Sequence, residues 1–285
     1  MKNFLFWFLA VIITITAVLY QRLTGPTNPK RVKFSIDNID YRVKFPRTSE
    51  TLVTLSDAVK RDNWNNYSKL EFQLNPVLPD NFTIKILYKR YPGSDSLKKI
   101  ETKVNNGVYS FEFPSQPPAG KLIYYPVVVR EDKEMVLCEE EGVIIRFKSP
   151  VPSFVLIPHI LLMFIAMLLA NYSGITALFL YERSVKYGFF VLIALGTGGL
   201  ILGPIVQKYA FGAFWTGWPL GEDLTDNKTL FAFLFWVTAL ILNRSKPRKY
   251  LLILAAVITL LVYSIPHSTA GSEYDHEKGA VVTGR

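Results

Sequence analysis

Five stretches of this chain are too apolar to be at home in water, and their placement constrains the fold more than any other feature. Residues 3–20 form a continuous run without charge, and four more runs lie at about 153–171, 188–206, 229–243 and 250–265. The intervening segment, residues 22–152, carries charges throughout. A helix needs roughly 17–25 apolar residues to cross a bilayer. The first three runs meet that length, the fourth meets it if it begins near residue 226, and the fifth is slightly short. The sequence therefore predicts an integral membrane protein in four parts. Residues 1–21 form a single N-terminal transmembrane anchor and residues 22–152 a separate folded domain. Residues 153–267 form a four-helix transmembrane bundle and residues 268–285 a mobile polar tail.

The first run has the Lys2 and apolar core of a signal peptide. Tyr20-Gln21-Arg22 stands where a cleavage site needs small residues, which favours an uncleaved anchor. The short loops set the expected orientation. Arg244, Lys246, Arg248 and Lys249 crowd one loop, and Arg183 and Lys186 lie in the 172–187 stretch, which reads as an amphipathic helix lying flat at the inner surface. Lys208 and Lys228 in the 207–228 loop are offset by Glu222, Asp223 and Asp226. The positive-inside rule then places the first two loops and the N-terminus in the cytoplasm of a plasma or inner membrane. The 207–228 loop and residues 22–152 become extracytoplasmic.

Residues 22–152 read as β structure. Leu70–Leu74 and Thr83–Tyr88 alternate apolar and polar, and Asn105-Asn106-Gly107 between Lys98–Val104 and Val108–Phe113 is a hairpin signal. Pro126 within Leu122–Val129 has no N–H to donate, so that strand is expected at an edge or a bulge. Short strands at this spacing predict an all-β sandwich of immunoglobulin or fibronectin-III type. The single cysteine, Cys138, excludes an internal disulfide and any paired-cysteine redox or haem-attachment motif. The segment has no histidine, Glu139-Glu140-Glu141 reads as a solvated turn, and Asn66 and Asn81 open glycosylation sequons. Residues 22–150 hold 21 Lys and Arg against 16 Asp and Glu without a basic stripe, which argues against a nucleic-acid partner. The lipid bilayer and other membrane proteins are the expected partners.

Chemistry concentrates at one face of the expected bundle. The loop Phe211-Gly-Ala-Phe-Trp215-Thr-Gly-Trp218-Pro-Leu-Gly-Glu222-Asp223-Leu-Thr-Asp226 packs aromatics beside glycines. That composition suits a planar apolar ligand, and equally an interfacial aromatic belt. Asp226 is expected to cap the fourth span. Gly199 and Gly203 form a small-xxx-small packing pattern. His159 follows Ile157-Pro158 about 10 Å along its span, and His267 follows Ile265-Pro266 where the last span ends. Both fall on the side of the Trp loop. Two imidazoles on separate spans can ligate one haem iron, and each can equally be satisfied by a neighbouring backbone group or the interface.

The order of histidine, two spans around a Trp-rich loop, and a second histidine resembles the haem-handling membrane proteins of cytochrome c maturation, which carry a WGxxWxWD-type loop between flanking histidines. The likeness covers about residues 153–267. Phe211, Gly212 and Trp215 stand for the first Trp, the Gly and the second Trp. Trp218 is displaced by one position, and Pro219 stands where an acidic residue belongs. The resemblance implies haem as cofactor, His159 and His267 as its iron ligands, and Phe211, Trp215 and Trp218 as the surface covering it. Three functions stay open. One is a non-catalytic interaction or assembly component of a membrane complex. The second is a haem-binding protein of a membrane redox or cytochrome-assembly system. The third is a membrane enzyme acting on quinol or lipid, with His159 and Glu222 or Asp223 as proton acceptors.

Overall fold

A computed structural model describes residues 2–51, 67–138, 141–267 and 271–283. Helix α1 spans Lys2–Thr24, and the β-rich middle follows. Then come α2 (Ser153–Ala177), α3 (Tyr181–Ala194), a π-helical segment (Leu195–Leu202), α4 (Gly203–Phe211), α5 (Leu224–Leu242) and α6 (Lys249–Ser264). Among the described residues four helices are long and apolar enough to cross a membrane: Asn3–Thr24, Ser153–Ala177, the continuous Tyr181–Phe211 and Leu224–Leu242. At 16 residues, α6 is shorter.

The middle is a two-sheet sandwich. One sheet has the order β1 (Lys30–Ile36), β2 (Ile39–Phe45), β4 (Tyr67–Asn75), β8 (Val108–Pro114), β7 (Lys103–Asn105). The other runs β3 (Thr48–Glu50), β11 (Val143–Lys148), β9 (Lys121–Arg130), β5 (Thr83–Tyr91), β6 (Lys98–Glu101), with β10 (Lys133–Val136) also on β9. Strand alternation makes the core: in β4 Ser68, Leu70, Phe72 and Leu74 point inward while Lys69, Glu71 and Gln73 face out. Phe45, Phe113, Tyr124 and Phe147 close the space between the sheets. Each such ring contributes roughly 1.5–3 kcal/mol through removal from water.

The hairpin expected at Asn105–Gly107 is present, with Asn105 opposite Val108 and positive φ at both Asn106 and Gly107. That is the backbone a two-residue primed turn demands. Its incoming strand is broken, however: β6 pairs with β5 and β7 with β8, so the chain changes sheets at Thr102. Pro126 also departs from expectation, because β9 is a central strand. β11 pairs with residues 121–124 and β10 with 127–130, and Pro126 falls in the gap between them. Its carbonyl accepts from Leu137 N at 2.9 Å on that side. The missing N–H faces the same side and costs no ladder bond. Cys138 is a buried free thiol, and Glu141 pairs with Lys30 at 3.0 Å. Glu139, Glu140 and Asn66 lie outside the described residues.

The first helix belongs to the bundle. Trp7 stacks on Tyr172 with ring centroids 4.0 Å apart, and Asn171 of α2 donates to Thr14 Oγ1 at 3.0 Å among apolar neighbours. The 172–187 stretch does not lie flat. α2 runs to Ala177 and α3 begins at Tyr181, leaving a tight turn at 178–180. Ser173 and Ser184, both buried, bond one another across that turn, so polar residues that look surface-seeking in the sequence are consumed between two helices. The Arg and Lys residues of 183–186 and 244–249 cluster at this end of the bundle, and the sandwich sits at the other. The tail is likewise structured. Residues 271–283 form a hairpin of β12 (Glu273–Asp275) and β13 (Ala280–Val282), held by Tyr274 N donating to Ala119 O at 3.2 Å and by the Lys121–Glu273 ion pair.

Candidate functional site

Strand β11, the Trp loop, the tail hairpin and the ends of α1, α2, α4, α5 and α6 meet where the sandwich joins the helices. Gly212, with φ of 87°, ends α4 in the left-handed conformation and turns the chain into the loop. The N-cap of α5 is Asp223, three residues earlier than expected. Its Oδ1 accepts from Thr225 N at 2.8 Å, and its Oδ2 accepts from Ser272 N at 3.0 Å and Ser272 Oγ at 2.9 Å. One carboxylate thus caps a helix and anchors the tail. Asp226, freed from capping, turns back to accept from Thr216 N at 2.7 Å, and the Gln207 amide, oriented to donate, reaches its two oxygens at 2.9 and 3.1 Å. Lys228 donates to Ile265 O at 2.6 Å, placing a cation on the last carbonyls of α6.

From the sandwich side comes Arg146. It donates to Ser272 O and lays its guanidinium over the Phe211 ring, 4.5 Å from the centroid. Burial pulls its pKa below the ordinary arginine value, and Asp223 and Glu273 pull the other way. Arg146, Asp223, Asp226 and Lys228 are 8, 4, 7 and 7% exposed, so two basic and two acidic side chains are enclosed at the joint, each hydrogen-bonded to backbone or neutral side chains. Backbone bonding adds to the seam, with Ser149 N donating to Ala210 O at 3.0 Å.

Two cavities open here. The inner one, about 130 Å³, is lined by His159, His267, Phe211 and Trp215 together with Met163 and Asp226. The residues singled out in the sequence come to it from α2, the segment after α6, α4 and the loop. Trp218 does not join them. It is 68% exposed on the far side of the loop, its carbonyl accepting from Trp215 Nε1 at 3.0 Å. Glu222 also stays outside. His159 Nδ1 lies 2.8 Å from Gly198 O. A carbonyl can only accept, so Nδ1 carries the proton and Nε2 of the neutral ring is left with a lone pair. Gly198 belongs to the π-helical segment, where Gly203 N also bonds its carbonyl. Gly198 and Gly199 are needed for contact, since a Cβ there would come within 2.7 Å of Leu162 and 2.6 Å of Thr229. Gly203 instead faces His159, so the expected small-residue pair does not act as one packing surface. His267 Nδ1 lies 2.8 Å from Gln21 Nε2 of α1. The outer cavity, about 530 Å³, shares Arg146, Phe211 and His267 with the inner one and extends over the end of α1. Among the described residues no group of three or more His, Cys, Asp or Glu is placed to hold a metal ion.

Sequence reasoning missed Arg146, Ser272 and Gln21, which look like ordinary surface residues. Asp226 and Lys228 left a signal: two charges inside the first turns of an apolar helix need partners. No family model matches this chain, and no curated protein matches it.

Proposed function

We propose that this is a multi-pass membrane protein acting as a non-catalytic interaction or assembly component of a membrane complex. Its immunoglobulin- or fibronectin-III-like sandwich lies on the extracytoplasmic side and its N-terminus in the cytoplasm. The observation that carries the reading is the enclosed charge cluster of Arg146, Asp223, Asp226 and Lys228 at the joint. Taking charges out of water costs several kcal/mol for each ion before pairing. A flexible linker would tether a sandwich to a membrane without that cost. Spending it makes sense where the sandwich must face a fixed direction relative to the bundle, as it must when both surfaces engage other membrane subunits. Native mass spectrometry of the protein released from its own membrane in a mild detergent tests this. A stoichiometric complex that dissociates in Asp223→Ala is expected. A single chain in both proteins would defeat the reading. Orientation has its own check: with Cys138 replaced, cysteines at 105–107 should react with an impermeant thiol reagent on intact cells, and cysteines at 245–247 should not.

A second reading, haem handling, rests on His159, His267, Phe211 and Trp215 lining one chamber. The donor chemistry suits it in part, because His159 offers Nε2 with Nδ1 held by a carbonyl, the usual support for a metal-binding imidazole. The space does not: about 130 Å³ is well below the roughly 300–1,000 Å³ of small-molecule and cofactor sites. A macrocycle does not fit this chamber with Phe211 and Arg146 in place. The visible absorption spectrum of purified protein decides the matter. A Soret band abolished by His159→Ala would favour haem over assembly, and a colourless protein would remove it.

A further inference from the structure

The outer cavity has a chemistry of its own. Arg22, in the last turn of α1, and Arg146 and Lys148, two residues apart on β11, line it. The other described polar residues on its wall, among them Gln21, Asn28 and Thr48, are neutral, and none carries a carboxylate. The ion pairs among the described residues involve neither Arg22 nor Lys148. Arg146 is the buried cation of the three: it is 8% exposed, one nitrogen serves Ser272 and its face covers Phe211. At about 530 Å³ the cavity is the size of a small-ligand site.

We infer that this vestibule binds a phosphate group, with Arg146 at its floor and Arg22 and Lys148 at its mouth. A guanidinium presents a planar fork of donors that matches the oxygens of an oxyanion, and flanking point charges raise the local anion concentration. The end of α1 is where an apolar helix gives way to polar chain, the level at which basic side chains meet lipid headgroups. The phosphate therefore comes either from an anionic lipid or from a soluble phosphate compound, and the same residues would receive both. The site needs α1 in place, because Gln21 and Arg22 of its last turn line it.

The test uses the full chain in nanodiscs of phosphatidylcholine, with or without phosphatidylglycerol, and inorganic phosphate as the soluble probe. Native mass spectrometry counts retained lipid, and the thermal midpoint reports phosphate. The double variant Arg22→Gln/Lys148→Gln alters two exposed side chains outside the seam. Lys33→Gln/Lys44→Gln removes the same charge from exposed positions on β1 and β2. Two lost phosphate contacts should lower phosphatidylglycerol retention about 30-fold, while the control pair changes it less than about threefold. If instead phosphate raises the midpoint in phosphatidylcholine alone, and only the vestibule variant loses the rise, the ligand is a soluble phosphate. Equal loss in both variants, or retention of neither probe, overturns the assignment.

Discussion

Phe45, Phe113, Tyr124 and Phe147 are the groups enclosed at the centre of the sandwich, whereas those enclosed at the joint are Arg146, Asp223, Asp226 and Lys228. The aromatic core gains stability from burial itself, tolerates small shifts, and gives little information about direction. The charged joint gains little from burial, and each member depends on its partners' positions, so it is sensitive to geometry. Loss of a core ring should therefore unfold a domain. Loss of a joint carboxylate should leave both bodies folded and release their relationship.

The largest effect is expected at the core. Phe113→Ala should destabilise the sandwich by about 3–5 kcal/mol, seen as a lower unfolding midpoint with the bundle's helical signal unchanged. Asp223→Ala should cost about 3 kcal/mol locally, because it strands Ser272 N, Ser272 Oγ and Thr225 N and unbalances the cluster. Hydrogen exchange should then open 271–283 while β4 and β8 stay protected, and loss of protection across both sheets would erase the distinction between the regions. A smaller effect is expected with pH at the tail. Burial, and then the neighbouring Arg90, hold the His276 pKa below the ordinary imidazole value. The folded form is neutral, and the unfolded chain takes up its proton near pH 6.5. Hairpin stability is therefore complete above about 6.5 and declines as pH falls from there towards the lowered folded value. Protection factors at 273–282, corrected for the intrinsic pH dependence of amide exchange, should be lower at pH 5 than at pH 7.5 in the native chain and change less in His276→Asn. Smallest of all, Val104→Ser on the exposed strand β7 should move stability by less than about 0.5 kcal/mol, and a larger shift would mean that edge carries a contact.

The parts of this fold legible in the sequence are those written in local pattern. The alternation of Leu70, Phe72 and Leu74 and the Asn106-Gly107 turn are short-range signals, and so are the long apolar runs. What escaped depends on distant partners. Pro126 looks like an edge residue until β10 and β11 are seen to divide the strand between them. Ser173 and Ser184 look solvated until they meet, and the tail looks mobile because its anchors, Asp223, Arg146 and Lys121, lie 49 to 152 residues away in the chain. At the candidate site His159, His267, Phe211 and Trp215 could be drawn together from topology alone, since odd and even spans alternate direction. Trp218 lies exposed, and nothing local in the sequence distinguishes a ring turned inward from one turned to the surface.

If the charged joint holds the sandwich in one orientation, the separation between sandwich and bundle is fixed. Electron–electron resonance between spin labels at Val104→Cys on the sandwich and Ser245→Cys at the opposite end of the bundle, in a chain lacking Cys138, measures that orientation directly. One narrow distance distribution is expected for the intact joint and a broad one in Asp223→Ala, with both bodies still folded. A distribution already broad with the joint intact, or equally narrow in Asp223→Ala, would contradict this role of the joint.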